Sequence, residues 1–91
     1  MPEVWLPPRM QRLTGGQQQV HVAGQTIRQV IDNLERTFPG LKMELYDEEE
    51  DVVMPGIAVV IDGETTQLGL LEQVREDSEI HFLPALGGGA F

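Results

Sequence analysis

Apolar positions along this chain change their period several times, and each change marks an element. Ile27, Val30, Ile31, Leu34 and Phe38 recur three and four residues apart, which places them on one stripe of a helix. Thr26 and Gln29 have the spacing of a capping box, and Pro39-Gly40 stops the helix. Arg28, Asp32, Glu35 and Arg36 fall off the stripe and are expected to face water. Leu41 to Tyr46 adds a short helical turn.

Elsewhere the period is two, or the run is continuous. Val4-Trp5-Leu6 opens a first strand, and Pro7-Pro8 removes two backbone donors, as suits a strand end. Gln18, Val20 and Val22 share one face of a second strand, with Thr14-Gly15-Gly16 as the turn of a hairpin. Ile57-Ala58-Val59-Val60-Ile61 is apolar throughout, the pattern of a strand buried on both faces, and Asp62-Gly63-Glu64 turns it. Leu68, Leu70, Leu71 and Val74 form a short apolar cluster with no room for a long element. Glu79 to Pro84 is the closing strand, with Ile80 and Phe82 on one face and His81 and Leu83 on the other. Pro84 is expected to end its ladder. A hairpin, one main helix, then further strands of a mixed sheet is an α+β order, and it matches the β-grasp arrangement. Residues 1–86 make that domain and residues 87–91 a flexible glycine tail.

Composition narrows the chemistry. Ninety-one residues are one domain, long enough to bury roughly two thirds of the surface its unfolded chain exposes. The absence of cysteine excludes disulfides, thiolate metal sites and a cysteine nucleophile, and it fits a reducing cytoplasm. Fifteen acidic residues against six basic ones leave a net charge of −9. That field repels phosphate backbones and anionic lipid, so neither nucleic acid nor membrane is expected as a partner. It favours a partner with a basic docking face. Asp47-Glu48-Glu49-Glu50-Asp51 cannot be buried and reads as a solvated loop ending at Met54-Pro55-Gly56, with docking as its second reading. No apolar run approaches the roughly 20 residues of a membrane span, and Met1-Pro2-Glu3-Val4-Trp5 lacks the pattern of a signal peptide. A cytoplasmic protein is expected.

Candidate catalytic groups do not assemble. His21 and His81 have no cysteine near them, so no metal site is expected, and His81 reads as a surface or edge position. Glu76-Asp77 imitates an acid–base pair but nothing places a pocket around it. Trp5 and Tyr46 read as packing residues. No enzyme is expected, and attention passes to Pro84-Ala85-Leu86-Gly87-Gly88-Gly89-Ala90-Phe91. Three glycines cannot pack a core and are costly to order. By themselves they describe a floppy end; they also describe a filament thin enough to thread into another protein's active site.

In this order of elements the chain resembles the ubiquitin-like sulfur carriers, the MoaD and ThiS type, and among them the carriers of cysteine synthesis. Leu13-Thr14-Gly15-Gly16-Gln17 is similar to their hairpin turn. Thr26-Ile27-Arg28-Gln29-Val30 through Phe38-Pro39-Gly40-Leu41 is similar to their helix and its exit, and Val59-Val60-Ile61-Asp62-Gly63-Glu64 to their central strand and turn. Counted from Pro84, their closing Gly-Gly falls on Gly88 and Gly89. The resemblance implies that no cofactor is bound and that the Gly89 carboxylate is adenylated with ATP by an E1-like activating enzyme. It then becomes a thiocarboxylate, and a sulfur-transfer synthase consumes it. Leu83, Pro84 and Leu86 are the expected docking contacts, with Gly87 and Gly88 as the slim tail. Carriers that act directly end at the second glycine, so Ala90 and Phe91 are expected to be removed first, by a JAMM-type zinc peptidase. Cysteine or homocysteine formation, or a related sulfur incorporation, is the favoured route. The small subunit of molybdopterin synthase, a protein modifier and a noncovalent module are the alternatives.

Overall fold

A computed structural model describes residues 1–85. The domain boundary expected after residue 86, and all the expectations placed on Leu86, Gly87, Gly88, Gly89, Ala90 and Phe91, lie outside the described residues.

The main helix α1 (Ile27–Thr37) forms where the three-and-four spacing places it, and buries Ile27, Val30, Ile31 and Leu34. Burying one such side chain contributes about 1.5–3 kcal/mol. Its cap differs from the expected box in one bond. Thr26 Oγ1 accepts from the Gln29 amide at 3.2 Å. The Gln29 side chain, however, reaches the amide of Gln25 at 2.8 Å and not that of Thr26. The polar face is also less solvated than expected. The Arg28 guanidinium pairs with Asp51, and Asp32 accepts from Lys42 Nζ at 2.8 Å. Glu35 accepts from the amides of Gly40 and Lys42, capping the next helix, α2 (Leu41–Leu45). Of the four, Arg36 alone is fully on the surface.

The first two strands, β1 (Glu3–Trp5) and β2 (Gln19–His21), pair antiparallel, but no tight turn joins them. Pro8–Thr14 forms a 3-10 helix that drops Met10 and Thr14 into the core. Two prolines pre-set its entry and Gly15 closes it at φ 68°, in the left-handed region. The Gly-Gly pair is therefore a helix cap as well as a turn. The acidic loop lies between two short strands, β3 (Tyr46–Asp47) and β4 (Val52–Val53), which form a two-stranded sheet of their own.

The large sheet adds β5 (Ile57–Ile61), β6 (Glu64–Thr65) and β7 (Glu79–Pro84), in the order β2-β1-β7-β5-β6. The β1–β7 pair is parallel and the rest are antiparallel, giving the mixed sheet of a β-grasp fold. The helix covers one face. Val4, Val20, Ile57, Val59, Ile80 and Phe82 point into that core. β5 is accordingly buried on one face only: Ala58 and Val60, on the other, are half-buried. Its continuous apolar run therefore does not mark two covered faces. In the short cluster before β7, Leu70 and Val74 are buried while Leu68 and Leu71 stay exposed.

The approach of β2 to α1 is tight at Gly24. There φ is 154°, and an added Cβ would lie 2.7 Å from Val30 Cγ2 and 2.9 Å from the Val30 amide nitrogen. Backbone cannot swing aside as a side chain can. Gly24→Ala is therefore expected to cost about 1–3 kcal/mol, as overpacking does, read as a lowered urea midpoint. An unchanged midpoint would show that this junction has slack.

Candidate functional site at the root of the tail

β7 ends one residue before the last described position, so its end is the root from which the glycines continue. Pro84 is the last residue of β7, as expected, and one backbone bond lies beyond it. Pro84 pairs with Ile57, and the Ala85 amide donates to the Gly56 carbonyl at 2.7 Å. Hydrogen-bonded and non-bonded pairs alternate in an antiparallel ladder. With Ala85 bonded to Gly56, Pro84 takes the non-bonded place and its missing N–H faces away from β5. β1 has by then run out, since its register with β7 ends at Trp5 and His81. Proline thus costs the ladder nothing here, and the root is held one bond further than the sequence implied.

The alternation of β7 sends Ile80 and Phe82 into the core and His81 and Leu83 to the uncovered face. Leu83 is 41 % exposed, and Pro84 and Ala85 are exposed beside it. Of the expected docking residues, Leu83 and Pro84 are therefore at the surface and adjacent. His81 is not at an edge: it lies in the central strand, half-buried. The register explains why. Gln19, Trp5, His81, Val60 and Thr65 are successive partners across all five strands, forming one row on the open face. Trp5 and His81 stack with ring centroids 5.3 Å apart and planes 3° from parallel. One step toward the tail, Leu83 partners Ala58. Trp5, His81, Val60, Ala58 and Leu83 thus make a continuous path from the N-terminal strand to the tail root.

Trp5 packs, as expected of it, but on the face away from the core. Its Nε1 is screened from water with no acceptor, a condition that costs about 1–3 kcal/mol for a buried donor. A phenylalanine would carry no such orphan, so packing alone gives no reason for an indole here. That Trp5, His81, Ala58 and Val60 share this face with Leu83 is not among the sequence expectations. The signal that finds them is parity: His81 shares a face with Leu83, and Trp5 needs only the β1–β7 register to join it.

The acidic loop is exposed from Glu48 to Asp51, as expected, but Asp51 is tied to the helix. Asp51 adopts φ 56°, a left-handed conformation tolerated by aspartate. Its carboxylate accepts from both terminal nitrogens of Arg28, at 2.9 and 3.1 Å, and from the Tyr46 hydroxyl at 2.7 Å. Arg28 first, and Tyr46 second, hold the Asp51 carboxyl below the usual carboxylate range. Donating to that carboxylate raises the Tyr46 phenol. A depressed folded-state value stabilises the fold above the unfolded value and loses that contribution as pH falls through the folded value. Asp51→Asn should therefore be less stable than the parent near neutrality. The gap should close once pH drops well below the ordinary aspartate value of about 3.9. Urea midpoints across that range test it, and a pH-independent gap would contradict it.

Among the described residues no three or more histidine, cysteine, aspartate or glutamate side chains gather as a metal group. No described helix is long and apolar enough to cross a membrane. His21 and His81 are on different rows, opposite Glu3 and Trp5 respectively.

Comparison with known proteins agrees with this fold. Sulfur carrier protein CysO of Mycobacterium tuberculosis is 28 % identical over 93 residues, covering 94 % of this chain and 96 % of that one. A chain in the crystal structure of the Amycolatopsis orientalis BexX/CysO complex superposes with a TM-score of 0.87 at 30 % identity, covering 98 % of this chain and 100 % of its own. The crystal structure of Mycobacterium tuberculosis CysO gives a TM-score of 0.87 at 25 % identity, over 93 % of this chain and 99 % of that one. Residues 4–89 match the ThiS family. That match spans every strand of the sheet but for the first residue of β1 and stops at Gly89; the chain belongs to the ThiS family of ubiquitin-like sulfur carriers.

Proposed function

We propose that this chain is a sulfur carrier, a co-substrate of other enzymes whose reactive group is the Gly89 carboxylate. The observation that supports this above others is the family match running through the strand, the proline and the glycines to Gly89. Whatever follows Gly89 must first be cut away, here Ala90 and Phe91, and a JAMM-type zinc peptidase is the proposed agent. A freed Gly89 carboxylate oxygen attacks the α-phosphorus of ATP on an E1-like activating enzyme, and pyrophosphate leaves. A sulfide-level donor then displaces AMP from the acyl-adenylate, leaving a thiocarboxylate.

A thiocarboxylate is anionic near neutral pH and nucleophilic without a neighbouring base. Delivery therefore needs no catalytic residue on the carrier. What it needs is a grip elsewhere, because glycines offer a partner little contact area. The open row ending at Leu83 supplies it: an aromatic stack and three aliphatic side chains leading to the tail root. A sulfur-transfer synthase consumes the thiocarboxylate. Cysteine or homocysteine formation is the proposed route, on the likeness to proteins named CysO.

Two experiments test this reading. Trimmed protein ending at Gly89, incubated with the activating enzyme, ATP and sulfide, should gain the mass of one oxygen-to-sulfur exchange. The full-length chain should not. Loading of the untrimmed chain, or none of the trimmed, would contradict the proposal. Separately, Leu83→Asp should leave the urea midpoint nearly unchanged, as surface substitutions do. It should lower kcat/KM for adenylation by about tenfold or more, the loss expected at a docking contact. Unaltered adenylation would remove this face from the mechanism.

A further inference from the structure

On the helical side of the molecule a groove of about 700 Å³ runs between α2 and the β3–β4 hairpin. Its apolar lining is Met43, Tyr46 and Met54, with the Lys42 Nζ over the Tyr46 ring, 5.1 Å from its centroid. Met43 is 80 % exposed, the most exposed large hydrophobic residue of the described chain. Acidic side chains rim the groove, and their commitments differ. Glu35 is spent on capping α2, and Asp47 Oδ1 accepts from the amides of Glu49 and Glu50. The one lysine at the rim, Lys42, is bound by Asp32 at 2.8 Å. Among the described residues the Glu48 and Glu49 carboxylates have no ion-pair partner.

Two carboxylates without an ion pair, lining the same groove as two thioethers, complement a side chain that is apolar along its stem and cationic at its tip. Lysine and arginine have that build, laying their methylenes on apolar surface while the head group stays wet. Methionine adapts its shape to such stems. We propose that this groove docks a segment of a partner protein in which lysine or arginine stands next to aliphatic residues. The site adjoins the tail root through the backbone. The Met54 carbonyl accepts from the Ile57 amide, and the Gly56 carbonyl accepts from Ala85. A partner seated in the groove and another surface resting on Leu83 would thus hold the strand end from both layers. The proposal concerns the groove alone and stands whether or not the tail carries sulfur.

The test is an amide chemical-shift titration of the full chain with three short, end-capped peptides. One alternates arginine and leucine, one glutamine and leucine, and one arginine and serine. The arginine–leucine peptide should shift Met43, Tyr46, Glu48 and Met54, and the other two should bind at least about threefold more weakly. Met43→Ser, and Glu48→Gln combined with Glu49→Gln, alter exposed residues and should each weaken the first peptide to a similar degree. Equal response to the arginine–serine peptide would reduce the effect to the general acidic field. Shifts spread to Glu64, Glu76 and Asp77, or no shifts at all, would overturn the proposal.

Discussion

The structure depends on β7 being pinned between two neighbours of opposite direction. β1 runs parallel to it from Glu79 to His81, and β5 runs antiparallel from Ile80 to Pro84. The last strand of the chain is therefore not an edge strand, and cannot peel away without opening the middle of the sheet. That position follows from the order of the elements. The hairpin comes first, the helix crosses over, and the final strand must enter between the hairpin and the strand laid down after the helix. Phe82 and Ile80 then sit at the centre of the core, fully buried. A tail rooted in such a strand starts from a fixed point, whatever its own freedom.

Layering explains the rest of the site. The helix α1 covers one face, and among the described residues no second layer covers the other. Apolar residues on that other face are consequently not core. Trp5, Val60 and Leu83 remain where water or a partner can reach them, with His81 clamped by the indole. Scattered surface apolar groups need no explanation. A connected row with a stacked aromatic pair at one end is more than scatter, and it is the surface on which the proposed docking rests. The strong acidity has a matching unevenness. Asp32, Asp51 and Glu35 are tied to neighbouring elements, whereas Glu48, Glu49 and Glu50 of the loop have no ion-pair partner among the described residues.

Much of this could be read from the chain. The helix announced itself by its three-and-four spacing with Thr26 before it and Pro39-Gly40 after it, and the two faces of β7 by simple alternation. Three features could not be read, each for a physical reason. The 3-10 helix at Pro8–Thr14 is too short to show a period, and its Gly-Gly end is shared with turns. The continuous run of β5 looks the same whether one face or both are covered, because Ala58 and Val60 tolerate half-burial. The row through Trp5, His81 and Val60 is a property of register between strands far apart in sequence, and no local pattern encodes register.

The central claim is that the tail springs from a root as stable as the core. Native-state hydrogen exchange measures it directly. The account predicts that the β7 amides open only with the whole molecule, matching the free energy of global unfolding, and that Ala85, bonded to Gly56, is clearly slowed relative to an unstructured amide. Exchange of β7 by local fraying, well below the global value, would contradict it.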